Sequence, residues 1–196
     1  KRSLAIRKQI DAVAPLKNSV LLLGETGVGK DFWAEYLFRQ SGFRSFLNLN
    51  CGDVPDNLID SEWFGYKKGA FTGAERDFEG KWAQADKGIL FLNQIDLLSL
   101  NVQSRLLRII ERKIYYPLGS TSERKIDVKF IFSANEDIEK QVRENRFRAD
   151  LYYRISPYMI KIPPLRDRKQ DIISLLHYFT DREKIQLNLS EEGLKS

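Results

Sequence analysis

Ser19-Val20-Leu21-Leu22-Leu23-Gly24-Glu25-Thr26-Gly27-Val28-Gly29-Lys30 is the stretch that decides the fold. A nearly unbroken apolar run leads into a glycine-rich turn and a lysine. Behind it Phe32, Trp33, Tyr36 and Leu37 recur at helical spacing between Lys30 and Gln40. A short strand that is apolar at every position has both faces covered, as in a parallel sheet sandwiched by helices. The glycines let backbone N–H groups turn inward around phosphate oxygens. The start of the helix adds positive potential, and the lysine reaches the terminal phosphates. Gly24, Glu25, Thr26, Gly27, Val28, Gly29 and Lys30 therefore form a candidate phosphate loop; an ordinary glycine-rich turn is the plainer reading. Asp31 stands where such loops usually offer Mg²⁺ a serine or threonine hydroxyl.

Working outward, Ser45-Phe46-Leu47-Asn48-Leu49, Ile89-Leu90-Phe91-Leu92 and Val128-Lys129-Phe130-Ile131-Phe132-Ser133 read as further strands. Val102 to Arg112 reads as a helix, with Leu106, Ile109 and Ile110 on one side. Strands alternating with helices predict an α/β fold with a parallel sheet. After Pro163-Pro164, Lys169 to Lys184 reads as one more amphipathic helix. The 196 residues, 42% apolar and 30% charged, suit a globular domain. No apolar run approaches a membrane span, and KRSLAIRKQIDAV does not read as a signal peptide. Cys51 is the single cysteine, which fits a reducing, cytoplasmic setting. The net charge of +5 is scattered rather than clustered, the pattern of a solvated surface, with nucleic-acid contact as the weaker alternative.

Farther along lies Gly69-Ala70-Phe71-Thr72-Gly73-Ala74, preceded by Lys68. With Gly24 to Lys30, Asn50-Cys51, Leu58 to Gly65, QSRLLR at 103–108, FRADLYYR at 147–154 and IPPLRDR at 162–168, it resembles the central AAA+ ATPase domain of sigma-54-dependent transcription activators. The matching segments run in order over roughly residues 18–175, and an acidic residue at position 31 is usual in that family. The resemblance implies a P-loop NTPase core over 1–165 and the incomplete start of a helical lid over 166–196, where Leu189 to Leu194 looks like a lid helix. It implies binding of ATP or ADP with Mg²⁺. It also implies a hexameric or heptameric homo-oligomeric ring that remodels sigma-54 RNA polymerase, and DNA contact through domains outside this chain.

For the residues, the resemblance implies that Gly69, Ala70, Phe71, Thr72, Gly73 and Ala74 form the tip of a mobile loop that touches the sigma factor. Read without it, Phe71 is as readily a core residue at a glycine-bounded turn. Arg148 and Arg154 become arginine fingers that reach a neighbouring subunit's phosphates, a task suited to a planar, permanent charge. Asn135, at the end of the strand near Ser133, becomes the sensor that holds the attacking water or feels the γ-phosphate; read without the resemblance it is a strand-end Asn making a turn. Asn50 becomes the switch that pairs with the catalytic glutamate, here facing Gln94 through an amide–amide hydrogen bond. Cys51 reads as a small buried hydrophobe and His177 as structural.

The departure lies at Asn93-Gln94, where the family carries Asp-Glu. The aspartate holds Mg²⁺ and the glutamate draws a proton from the attacking water. Asn93 keeps an oxygen without the charge, a weakened metal ligand, and Gln94 can orient water but not accept its proton. The expectation is a chain that binds ATP and hydrolyses it poorly. A non-hydrolysing nucleotide-binding assembly module is the alternative. Asp96, two residues on, reads as a surface carboxylate, with a metal role as the alternative.

Overall fold

The computed structural model describes residues 2–172 and residue 175. The chain begins with helix α1 (Arg2–Val13), strand β1 (Val20–Leu23), helix α2 (Lys30–Ser41) and strand β2 (Phe46–Asn50). A short helix α3 (Asp56–Ile59) runs into a π-helical turn (Asp60–Phe64), followed by α4 (Gly80–Gln84), β3 (Ile89–Asn93), a 3₁₀ turn (Ile95–Leu97) and α5 (Leu100–Arg112). Strands β4 (Ile114–Tyr115) and β5 (Arg124–Lys125) pair as a small antiparallel ribbon. Strand β6 (Lys129–Ala134), helices α6 (Ile138–Arg143) and α7 (Ala149–Ile155), strand β7 (Tyr158–Lys161) and a 3₁₀ turn (Leu165–Asp167) complete it.

The main sheet has five strands in the order β2-β3-β6-β1-β7, every pair parallel. The alternation of side chains along a strand divides it into two cores. Val20, Leu22, Ile89, Phe91 and Ile131 face α1 and α2. Leu21, Leu23, Leu90, Leu92, Phe130 and Phe132 face the π-helical turn and helices α4, α5 and α7. Burying both sets is why β1 and β6 are closed to solvent at every position.

The four expected strands appear within a residue or two of their expected limits. Among the elements not anticipated are α1, α3, α4, α6, the β4–β5 ribbon and the edge strand β7, which adds to β1 from Val20↔Tyr158 to Leu23↔Lys161. Gly65 and Gly80 close the base of the hexapeptide excursion back to back. A Cβ on Gly80 would lie 2.4 Å from the Gly65 nitrogen, and both residues have positive φ. The helix expected over 169–184 lies largely outside the described residues. The lid segment expected over 189–194 and His177 lie wholly outside them.

Candidate functional site

The glycine loop leaves the carboxyl end of β1 and delivers the chain to α2. Gly27 and Gly29 take left-handed conformations, φ 83° and 85°, which a side chain would resist. Lys30 is 7% exposed, and its ammonium donates to the carbonyls of Gly24 at 2.6 Å and Glu25 at 3.0 Å. Burial lowers its pKa below the ordinary lysine value, against the opposing pull of Asp96, Asp31 and Glu136. Arg168 pins the loop from outside: nearly buried, it donates to the Val28 carbonyl at 2.6 Å and the Pro163 carbonyl at 3.1 Å. Arg166 pairs with Glu25. Beside Gly27, Val28 and Gly29 opens a cleft of about 680 Å³ whose walls include Phe32, Trp33, Tyr36 and Leu165. Its size suits a small organic ligand.

The carboxyl ends of β2, β3 and β6 face this loop. Asn93 donates from Nδ2 to Asp31 Oδ1 at 2.9 Å, and its Oδ1 accepts from the Ser133 hydroxyl. The same Asp31 oxygen accepts from Asn48 at 3.2 Å. Gln94 adopts φ 59°, ψ 48°, and its backbone N–H donates to Ser133 Oγ at 2.9 Å. Asn135 donates to Asp96 Oδ2 at 2.8 Å and accepts from the Thr26 hydroxyl at 3.3 Å. Asp31, Asn93, Asn135 and Thr26 are thus brought together around the loop mouth.

Two expectations change. Asp96 is not on the surface: the left-handed turn at Gln94 and the 3₁₀ turn that follows fold it inward to 7% exposure. Asn50 makes no hydrogen bond to Gln94. Its Nδ2 donates to Asp53 at 2.8 Å and its Oδ1 accepts from the Gly52 N–H at 3.2 Å, so the turn after β2 has claimed the amide. Cys51 is buried, and burial pushes its thiol far above the usual range, which fits an inert packing residue. Among the described residues, no group of three or more His, Cys, Asp or Glu side chains is arranged to hold a metal.

The profile of the Sigma-54 interaction domain family matches residues 1–161. The chain belongs to that family. It is 42% identical over 190 residues to the regulatory protein LuxO of Vibrio cholerae, covering 96% of this chain and 36% of LuxO. It is 42% identical over 178 residues to the transcriptional regulator NtrC of Proteus hauseri, covering 90% of this chain and 38% of NtrC. The crystal structure of NtrX from Brucella abortus in complex with ATP superposes with a TM-score of 0.81 at 28% identity, over 91% of this chain and 41% of NtrX. Its ADP complex superposes with a TM-score of 0.82. The sheet order, glycine loop and flanking helices are those of an AAA+ P-loop NTPase. The chain spans little more than a third of the length of these curated relatives.

In this sigma-54 interaction domain the hexapeptide is a closed loop. Gly69 N–H donates to the Ala74 carbonyl at 2.9 Å, Ala74 N–H to the Phe71 carbonyl at 3.0 Å, and Ala74 is buried. Phe71 is 45% exposed and sets its ring edge-on to Tyr66, 4.9 Å between centroids, so it is not a core residue. Tyr66 and Phe78 exchange backbone hydrogen bonds at 2.8 and 2.9 Å, and Lys67 pairs with Asp77 at 2.6 Å. Thr72 and Gly73 are exposed at the tip.

Arg148 precedes α7 and is held by Asp150 at 2.7 Å; Arg154 is exposed on the same helix. Neither donates to the glycine loop of its own chain among the described residues. Gln103 was missed by sequence reasoning as a residue with a role of its own. It is fully buried, its Nε2 donates to the carbonyls of Leu98 at 2.7 Å and Arg146 at 3.2 Å, and its Oε1 accepts the Arg148 N–H at 2.8 Å. One amide thereby ties α5 to the start of the arginine-bearing helix. Its available signal was a polar residue beside Val102 and Leu106 on the apolar side of a helix.

Proposed function

We propose that this chain is the nucleotide-sensing motor core of a sigma-54 transcription activator, one that takes up ATP or ADP and hydrolyses ATP slowly. The observation that carries the reading is the mouth of the glycine loop, where Lys30 is complete in position while the facing strand ends in two amides. Gly24 to Gly29 wrap the phosphates with backbone N–H groups, Lys30 exchanges its carbonyl partners for phosphate oxygens, and the cleft along Phe32, Trp33 and Tyr36 receives the base. Asp31 and the Asn93 carbonyl are the oxygen donors suited to a phosphate-borne Mg²⁺, with Asp31 bringing the charge that Asn93 lacks. The ion supplies neutralisation of the terminal phosphates when bound.

Gln94 orients water without taking its proton, and the loss of a general base lowers turnover roughly 10²- to 10⁴-fold. Arg148 and Arg154 serve the site of the neighbouring subunit in a homo-oligomeric ring. Phe71, resting on Tyr66, is the apolar group offered to sigma-54 RNA polymerase when the loop extends. Residues 1–165 form the core and 166–196 open the lid.

The test pairs nucleotide titration with phosphate release, on this chain and on its Asn93→Asp, Gln94→Glu form. ATP binds both with similar affinity, and release rises roughly 10²- to 10⁴-fold in the variant. Equal release from the two sinks the impaired-hydrolysis reading. The amides also support a second reading, a nucleotide-binding assembly module without turnover, which gains if the restored acids bring no hydrolysis.

A further inference from the structure

A separate cleft of about 300 Å³ opens between α5, the π-helical turn and β4, and it shares no residue with the cleft beside the glycine loop. Its cations are Arg105, Arg108 and Arg112, which the helical period sets on one side of α5. Asp60 is the one acid among its described walls, and it is spent on Arg105 Nη1. Arg108 and Arg112 are exposed, and neither forms an ion pair or a hydrogen bond among the described residues. Three guanidiniums against one carboxylate leave the cleft a formal excess of two positive charges.

The remaining walls are apolar. Phe64 and Tyr115 are buried with their rings 5.8 Å apart between centroids, and Tyr116 is 50% exposed. A concavity with mostly apolar walls and a few convergent polar groups is how small-molecule sites are built, and this volume suits a charged head with one ring. The planar fork of a guanidinium matches phosphate oxygens two at a time. On the far wall, Leu118 donates its N–H to the Gly65 carbonyl and accepts the Lys67 N–H, both at 2.9 Å. An occupant therefore rests on the segment that carries the base of the hexapeptide loop.

We propose that this cleft is a binding site for a small organic dianion, a phosphate monoester carrying one planar ring, held by Arg108 and Arg112 against the root of the hexapeptide loop. The site goes beyond the nucleotide reading and does not depend on it.

The test titrates benzyl phosphate, inorganic phosphate and benzyl alcohol into the unaltered chain and into the double variant Arg108→Gln, Arg112→Gln, with and without ADP. Benzyl phosphate binds with a dissociation constant of about 1 mM or tighter, roughly tenfold below that of either fragment. ADP changes this by less than about twofold, and the double variant loses about tenfold or more, the scale of charge-assisted hydrogen bonds. Tyr116→Ala weakens benzyl phosphate about threefold and leaves inorganic phosphate unchanged, and it decides the matter should the arginine variant not fold. No saturable uptake up to about 10 mM overturns the proposal. So does undiminished binding in the variants, displacement by ADP, or inorganic phosphate binding as tightly as the ester. An oligo-glutamate peptide that displaces benzyl phosphate and binds more tightly makes the cleft a docking face for an acidic protein segment, and overturns the small-ligand assignment. Failure of ADP to bind sinks the nucleotide reading and leaves this one standing.

Discussion

Lys30 and Lys129 lie at opposite ends of the parallel strands, one past the carboxyl end of β1 and the other at the amino end of β6, and both have taken an ammonium out of water. Lys129 is 1% exposed and commits its three donors to the carbonyls of Val13, Ala14 and Leu16 at 2.7, 2.9 and 2.6 Å. These carbonyls close the carboxyl end of α1, where the helix dipole favours a cation. Lys30 commits two donors, to Gly24 and Glu25, and stands among acids. The difference separates a structural cation from a working one. Lys129 has every donor met and nowhere better to go, whereas Lys30 has two of its three donors met among the described residues and can trade carbonyls for phosphate.

The sharpest way to break that contrast is Lys129→Met. It leaves three carbonyls without a partner in the folded state and costs about 3 kcal/mol or more. For a domain of this size that lowers the unfolding midpoint by roughly 6–12 °C. ATP affinity, measured on the folded variant, stays within about twofold. A folded Lys129→Met that no longer binds nucleotide would show the two ends of the sheet to be coupled. Lys30→Met reverses the pattern. ATP affinity falls about 10- to 100-fold, the scale of charge-assisted hydrogen bonds to phosphate. Stability falls by less than in Lys129→Met, since two carbonyls rather than three lose their donor. Isothermal titration and thermal unfolding on the same samples read both quantities.

The contrast also explains what the sequence made legible. The β1–loop–α2 unit was readable because its signals are local: an apolar strand, glycines where φ is positive, and a helical period directly behind Lys30. Lys129 was read only as part of a strand, because its partners are carbonyls more than a hundred residues away in the chain. Asp96 was assigned to the surface because a polar residue after a strand usually is exposed. The left-handed turn at Gln94 that carries it inward has no glycine to announce it. Asn50 lost its expected partner to Asp53 and Gly52, a local turn that outcompetes a cross-strand amide pair. Strand β7 hid because Tyr158–Lys161 is short, half-buried and at the sheet edge. Tertiary placement, not composition, decides each of these cases.

The smallest effect is the dependence of stability on pH, and it measures how well the three carbonyls replace water around Lys129. Burial lowers this group from 10.5 to about 8. Below pH 8 the folded and unfolded chains both hold the proton, and the cost of burying the charge is constant. Between about pH 8 and 10.5 the folded chain has released the proton while the unfolded chain still binds it, so stability contributed at this residue rises with pH. The slope is at most about 1.4 kcal/mol per pH unit. Other titrating groups contribute their own slopes, so the readout is the difference between the unaltered chain and Lys129→Met in urea unfolding at pH 7.5, 8.5 and 9.5. An advantage of the lysine that grows with pH means the carbonyls under-compensate for lost water and the helix end tolerates the cation at a cost. A flat difference means they compensate in full. Lys129 would then be as well solvated inside the protein as outside, and the contrast with Lys30 would rest on the number of donors met alone.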